Sequence, residues 1–173
     1  MKLIIYSVFL LFLAPCNGTK KTASTASSGT SASATTQTAA KNQLRTVSFS
    51  LQKTACFGRC PMFTLTINGE TNTATYKGDQ NVDKVGTYEK KISDDELQKL
   101  VDAFEKRKLF DMQDAYNKQQ VTDLPSTYVS YSINGKSKKI QDRFQAPPEL
   151  KELEKLLDDF GNTDGWEKIK DAE

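Results

Sequence analysis

The feature that most constrains the fold is an alternation of apolar and polar residues, repeated in short stretches that end at turn signals. Residues 45–53, RTVSFSLQK, alternate Val47, Phe49 and Leu51 with polar residues, and residues 62–68, MFTLTIN, repeat the pattern with Phe63, Leu65 and Ile67. A period of two is that of a strand with one buried face. The second stretch runs into Asn68-Gly69, a strong turn signal. Two antiparallel strands are therefore expected here.

Further strands are predicted on both sides of the middle of the chain. The alternation continues through Ala74 and Tyr76 up to Gly78, and VGTYEKKI at 85–92 reads as a fourth strand. These four strands are expected to form an antiparallel meander. Later, residues 127–133 and 136–144 flank the dipeptide at 134 and 135, again Asn-Gly, which predicts a hairpin with a two-residue turn.

Two helices are predicted, each with its own start signal. Ser93 is a candidate N-cap with Glu96 three residues later, the pattern of a capping box. The apolar residues that follow keep helical spacing: Leu97, Leu100, Val101 and Phe104. Pro147 and Pro148 open the second helix, and Gly161 is expected as the C′ residue just beyond its end. Its inner side is expected to carry Leu150, Leu153, Leu156, Leu157 and Phe160.

The segment between the first helix and the hairpin, residues 108–127, is predicted to be a long irregular connection. Trp166 lies in a tail beyond the second helix. Strands, a helix, a hairpin and a second helix define an α+β domain. We expect an antiparallel sheet, a four-strand meander plus a hairpin, covered on one face by two helices.

The N-terminus reads as a targeting segment. Residues 1–16, MKLIIYSVFLLFLAPC, place one lysine before an apolar run and end at Cys16, the layout of a secretory signal. The run is shorter than the ~20 residues that a membrane span needs. Leu13-Ala14-Pro15 resembles a bacterial lipobox, although Pro15 stands where Gly, Ala or Ser is usual. The expectation is cleavage before a lipidated Cys16, and the alternative is an ordinary cleaved signal in which Cys16 is incidental.

Residues 17–43 are predicted to be a disordered tether, and residues 44–173 a single domain. From Thr22 to Ala40 the chain holds only Ser, Thr, Ala, one Gly and one Gln, so the segment has nothing to bury. Four of the 24 basic residues precede residue 44, which leaves 20 bases against 22 acids in the domain. This balance argues against a nucleic-acid partner.

The chain has three cysteines and no histidine. The absence of histidine excludes Ser-His-Asp and Cys-His catalytic pairs and imidazole metal ligands. If Cys16 is lipidated, Cys56 and Cys60 remain as a pair in a compartment that permits disulfides. No cofactor and no metal are expected, because two thiolates with carboxylates match the usual zinc ligand sets poorly.

Three interpretations of the CFGRCP segment, residues 56–61, remain: a structural disulfide, a thiol-redox site and a metal site. A disulfide requires the chain to turn back on itself within Phe57-Gly58-Arg59, and Gly58 is free to take positive φ. A redox pair is typically placed at a helix N-terminus with a two-residue spacer. Here the spacer has three residues, and Pro61 precedes a predicted strand. The structural disulfide is the favoured interpretation.

Carboxylates in the long connection suggest a second kind of chemistry. Asp111, Asp114 and Asp123 lie there, and a pair of carboxylates in one cleft would support glycoside hydrolysis. Asp123, in VTDLP, is expected instead to accept backbone hydrogen bonds and fix a turn before Pro125.

Several segments together resemble a family of bacterial envelope proteins catalogued as domain of unknown function 6438. They are CFGRCPMFTLTINGE, YKG at 76–78, VGTYEKKIS, TDLP at 122–125, and APPELKELEKLLDDF followed by Trp166. The resemblance covers nearly all of residues 44–166 and implies no reaction, although members often carry a lipoprotein signal. The residues that match its motifs have no assigned catalytic role: Cys56, Phe57, Gly58, Cys60, Pro61, Tyr76, Gly78, Gly86, Thr122, Asp123 and Pro125.

The sequence thus predicts a lipid-anchored envelope protein of a Gram-negative bacterium that faces the periplasm or the cell surface. The expected role is non-enzymatic binding of a protein, peptide or glycan partner through the loop between Cys56 and Cys60 and the long connection. The alternative is a thiol-redox or other envelope enzyme that uses Cys56 and Cys60, or Asp123.

Overall fold

The computed structural model describes residues 41–118, 120 and 123–172. The predicted signal, Cys16, most of the predicted tether and Thr122 lie outside the described residues. Residues 41–44 form a helical turn that leads into the domain. Among the described residues, no helix combines the length and apolar character that crossing a membrane requires.

The domain is a mostly antiparallel sheet of eight strands with two α-helices and a 3-10 helix. The strands are β1 Ser48–Lys53, β2 Met62–Asn68, β3 Thr73–Gln80, β4 Gly86–Lys91, β5 Ala115–Tyr116, β6 Thr127–Ile133, β7 Lys136–Asp142 and β8 Glu167–Lys170. The helices are α1 Asp94–Lys106, the 3-10 helix Leu109–Asp111 and α2 Pro148–Gly161.

The strand order is β5-β7-β6-β1-β2-β3-β4-β8, and only the β5–β7 pair is parallel. The four strands of the predicted meander lie side by side as β1 to β4, and the β6–β7 hairpin joins the sheet next to β1. The predicted count of six strands is wrong, because β5 and β8 extend the sheet at its two edges. β5 has only two residues and β8 is exposed at every position, so neither leaves an alternating pattern in the sequence.

The core lies on one face of the sheet, where an aromatic cluster joins the strands to α1. Phe49 stacks on Tyr131 with ring centroids 5.0 Å apart, and Phe104 of α1 meets Phe49 at 4.9 Å. The same face receives α2, since Gly161 lies against Tyr76 and Leu65. The inward residues of β1, β2, β3 and β6 are the alternating positions of the sequence, and they are buried.

Gly161 does not play its predicted part. It is the last residue of α2 rather than a C′ residue, and it is not among the glycines with positive φ. A Cβ at Gly161 would come within 3.4 Å of Tyr76 Cε2, so the glycine allows the end of α2 to approach the sheet closely. Packing, not helix termination, accounts for this residue.

The start of α1 is anchored at the end of the sheet where the chain enters the domain. The predicted capping box is confirmed: Ser93 Oγ accepts from Glu96 N at 3.2 Å, and Glu96 Oε2 accepts from Ser93 N at 2.9 Å. The next residue, Asp94, accepts from Asn72 Nδ2 at 2.8 Å and also pairs with Arg45. These partners, Asn72 first, lower the pKa of the Asp94 carboxyl.

The two Asn-Gly turns differ. Asn134 and Gly135 take φ values of 49° and 77°, which confirms the predicted two-residue turn. After Asn68 the chain instead makes a four-residue turn before β3 begins at Thr73. A Cβ at Gly69 would collide with the carbonyl oxygen of Leu44, so this glycine is required by the close approach of two backbone segments.

Candidate binding surface at the disulfide loop

The connection between β1 and β2, residues 54–61, is closed into a small ring. The Cα atoms of Cys56 and Cys60 lie 5.7 Å apart, and their sulfur atoms are at bonding distance. Both cysteines are half-buried, whereas the residues between them are exposed. The covalent bond therefore fixes a turn whose tip projects into solvent.

Phe57, at the tip of this ring, is the most exposed large apolar side chain in the described part of the protein. Its exposed fraction is 98%, compared with 58% for Ile169, 44% for Leu124 and 40% for Val85. Exposed single apolar residues are common on protein surfaces. A phenylalanine with almost no intramolecular contact is not explained by packing.

Gly58 does not support the turn in the way the sequence predicts. It is not among the residues with positive φ, and a Cβ placed on it would meet only Cys56 Sγ, at an ordinary contact distance of 3.8 Å. The ring therefore turns through backbone conformations that other residues also adopt. The disulfide, and not a left-handed glycine, closes it.

Hydrogen bonds hold both stems of the ring. Asn81 Nδ2 donates to Cys60 O at 3.1 Å, which ties the second cysteine to the turn between β3 and β4. Thr54 N donates to Ser126 O at 3.1 Å, and Ser126 N donates to Thr54 Oγ1 at 2.9 Å. The last residue before β6 thus lies beside the first residue of the loop, so the end of the long connection borders the ring.

Ser126 is itself well fixed. It is buried, and its Oγ accepts from Gln141 Nε2 and from Arg143 Nε, both at 3.0 Å. Just before it, Asp123 and Leu124 are exposed. The sequence places the ring and the connection in one candidate surface, and the structure joins them at the Thr54–Ser126 contact.

The cleft that Asp111 lines does not bring the three aspartates of the connection together. Asp111 lines an open cleft of about 680 Å³ between the end of α1, the 3-10 helix and the start of α2, together with Tyr116 and Glu149. Neither Asp114 nor Asp123 lines it. Asp114 instead pairs with Lys138 at 2.9 Å. This arrangement gives no support to a carboxylate pair built from these aspartates.

The part of the chain that the structure describes contains no set of side chains placed to bind a metal ion. There, no group of three or more His, Cys, Asp or Glu side chains is placed to hold a metal ion. Cys60 is followed by Pro61 and then by β2, so no helix N-terminus adjoins the pair to stabilise a thiolate.

Comparison with known families identifies the family to which the chain belongs. The family model described as Domain of unknown function (DUF6438) matches residues 47–161, which is more than half of the chain. The chain belongs to this family. Comparisons with curated proteins and with solved structures found no match.

In this DUF6438 domain, three of the motif residues identified in the sequence have structural roles. Tyr76 is buried, stacks on Phe63 at 4.9 Å and meets Trp166 edge-on at 5.8 Å. Burial raises the pKa of its hydroxyl to about 12, so it stays neutral. Gly78 and Gly86 face each other across β3 and β4. A Cβ on Gly78 would collide with Lys84 O, and Gly86 has φ 108°.

The remaining described motif residues lie at the loop or beside it. Pro61 and Asp123 are exposed, and Pro125 is half-buried. Phe57 differs from Tyr76 in that its ring is almost fully exposed to solvent. The motif residues identified in the sequence are thus divided between residues that build the sheet and residues presented at its end.

One cluster of ionisable side chains was not predicted from the sequence. Asp142 at the end of β7 and Glu154 on α2 are buried, and Lys151 pairs with both. The available signal was the position of Glu154, which directly follows the inward-facing Leu153. Recognising it would have required knowing that α2 passes over the end of β7.

Proposed function

We propose that this protein is a lipid-anchored, non-enzymatic binding module of the cell envelope, with a docking surface centred on Phe57 and the disulfide ring. The observation that carries the proposal is the 98% exposure of Phe57 on a covalently closed loop. Burial of such a side chain contributes roughly 1.5–3 kcal/mol of favourable free energy, and the isolated domain does not gain it because Phe57 is exposed. A partner that buries it recovers this energy.

The disulfide supports the same role because it restricts the loop before binding. Ordering a flexible loop at an interface costs binding free energy, and a loop already held in one conformation avoids much of that cost. Both stems of the ring are also hydrogen-bonded, through Asn81 and Thr54. Phe57 is therefore presented from a restrained support, as are the aromatic anchors that dominate many interfaces.

The charge of the loop indicates the chemistry of the partner. Between Thr54 and Pro61 the only charged side chain is that of Arg59, which is exposed. A protein or peptide with an apolar pocket and an acidic rim matches a phenylalanine flanked by an arginine. Arginine is also enriched among the residues that contribute most to binding.

The geometry of chain entry supports a partner away from the anchor. The chain enters through Arg45, which donates to Gly69 O at 2.7 Å beyond the end of β2, whereas the ring precedes the start of β2. The seven residues of β2 separate these ends by roughly 20 Å. A tether of 27 residues would add a reach on the order of 30 Å. The ring is therefore at the opposite end of β1 and β2 from the point where the chain enters the domain.

A photocrosslinking experiment in cells tests the docking surface. A photoreactive phenylalanine analogue at position 57 of the full-length chain is expected to give one defined protein adduct. The same analogue at position 169 serves as the control, because Ile169 is exposed on an edge strand far from the ring in the strand order. Equal adduct patterns at the two positions, or lipid adducts alone at position 57, would contradict the proposal.

The anchor is tested separately by metabolic labelling with a fatty-acid analogue. The wild-type chain should take up the label and fractionate with membranes. Cys16→Ser should lose the label, while Cys56→Ser and Cys60→Ser should keep it. Labelling of Cys16→Ser at the wild-type level would rule out attachment at this residue.

The second candidate function, a thiol-redox enzyme that uses Cys56 and Cys60, is favoured only by the exposure of the ring. For an enzyme that uses Asp123, the cleft that Asp111 lines offers no support, because Asp123 does not line it. A redox enzyme requires a disulfide that exchanges readily with thiol buffers. We expect the Cys56–Cys60 pair to resist reduction at potentials where disulfide-exchange proteins are already reduced.

A further inference from the structure

Three ionisable groups meet between α2 and the end of the sheet. Asp142 is 3% exposed and Glu154 is 8% exposed, so both carboxyl groups are buried. The ammonium group of Lys151 pairs with Asp142 and lies 3.2 Å from Glu154 Oε2. One positive charge therefore faces two carboxyl groups.

The neighbouring charges do not supply a second cation. Lys53, at the end of β1, is directed to Asp158 on the next turn of α2, with Nζ and Oδ2 2.9 Å apart. Between Lys53 and Asp142 in the register lies Thr127 of β6, which is uncharged.

Neither β5 nor the end of α1 adds a charge to the cluster. Tyr116 of β5 is the cross-strand neighbour of Asp142, and its hydroxyl accepts from Gln113 N. Arg107, the residue directly after α1, pairs with Glu152, which lies two positions before Glu154 and so on a different side of α2.

The two carboxyl groups share one partner, Lys151 Nζ, so they lie side by side around a single ammonium group. Glu154 Oε1 is buried and has no hydrogen-bond partner. Burial, and then the adjacent Asp142, raise the pKa of the Glu154 carboxyl to about 7. A fully ionised pair would leave two buried negative charges against one ammonium, which is unfavourable in a desolvated site.

We propose that a proton held on the buried Glu154 carboxyl, beside Asp142, keeps the first half of α2 on the end of the sheet, so that this contact is a pH-sensitive latch. Loss of the proton adds an unbalanced negative charge beneath α2. The segment that contains Lys151 and Glu154, and the end of β7, should then open more often, while the aromatic cluster around Phe49 stays closed.

The direction of the pH effect follows from the raised pKa. In the unfolded chain Glu154 loses its proton near its ordinary value of 4.5, whereas in the folded domain it keeps the proton up to about 7. The folded state thus holds an extra proton in this interval, and its stability falls as the pH rises through it. The stabilisation that this proton provides is complete below the pKa of Glu154 in the unfolded chain, and it is lost above the pKa of Glu154 in the folded domain.

The variant Glu154→Gln tests the latch, because glutamine keeps the shape and a hydrogen-bond donor but cannot ionise. Urea unfolding of the full-length chain is measured between pH 4.5 and pH 8. The unfolding constant of the wild type, divided by that of Glu154→Gln, should increase on the order of 100-fold over this range. Glu149→Gln, an exposed position on the same helix, should follow the wild type. A ratio that does not change with pH would overturn the proposal.

A measurement on the wild type keeps the test valid even if the variant does not fold. The 13C shift of the Glu154 side-chain carboxyl, followed by NMR, should titrate near pH 7. Amide exchange, corrected for its intrinsic pH dependence, should accelerate at pH 8 in residues 148–158 and not in β1. Titration of Glu154 near its ordinary value, or uniform exchange across the domain, would contradict the latch.

Discussion

Different interactions hold the two ends of the central hairpin formed by β1 and β2. At the end where the chain enters, Arg45 bridges Gly69 and Asp94, Asn72 supports the same carboxylate, and Leu44 is 5% exposed. At the other end, one disulfide closes a ring whose central residues are all exposed. The first end is built into the packing of the domain, whereas the second projects from it.

This difference separates the residues that make the fold from those available for binding. A loop that contributes little to packing is free to carry residues selected for another purpose. The disulfide then has a clear physical role, because it maintains the conformation of a loop that the core does not support. The contrast between the two ends is therefore the main argument for placing function at the ring.

A large difference between the two ends is expected when one methyl group is added at each. Gly69→Ala should lower the free energy of unfolding by about 2–3 kcal/mol, since its Cβ would collide with Leu44 O and force the backbone apart. Gly58→Ala should change it by less than about 0.5 kcal/mol, because its Cβ has room and its φ is not positive. Denaturant unfolding of both variants measures the difference. Equal losses would remove the contrast between the ends.

A smaller effect is expected when the ring is opened. The double variant Cys56→Ser/Cys60→Ser should lower the free energy of unfolding by about 2 kcal/mol, the value of the chain-entropy model for so short a loop. Because few core contacts depend on the ring, the near-ultraviolet circular dichroism of the folded state should be retained. Loss of the folded state in this variant would show that the ring is part of the core.

The sequence was most informative where local chemistry determines the structure. The capping box at Ser93 and the turn at Asn134-Gly135 depend on neighbouring residues, and both are found as predicted. The alternating positions of β1 and β2 identify the buried face, because each inward residue meets another across the strands. Membership of the DUF6438 family also followed from short motifs.

Features that depend on distant parts of the chain were not predictable in this way. Gly161 reads as a helix stop, and only its contact with Tyr76 shows that it serves packing. β8 pairs with β4 through backbone groups, so its exposed side chains give no signal. The exposure of Phe57 and the burial of Glu154 are both opposite to what their residue types suggest, and each depends on which elements pass nearby.

The most direct test of the account is the stability of Phe57→Ala compared with that of Phe63→Ala, two phenylalanines on either side of Cys60. Phe63 is 4% exposed and stacks on Tyr76, so its removal should cost about 3–5 kcal/mol of unfolding free energy. Phe57→Ala should remain within about 0.5 kcal/mol of the wild type, as expected for a side chain without intramolecular contacts. A loss of about 2 kcal/mol or more for Phe57→Ala would show that Phe57 belongs to the fold, and the proposed docking surface would lose its basis.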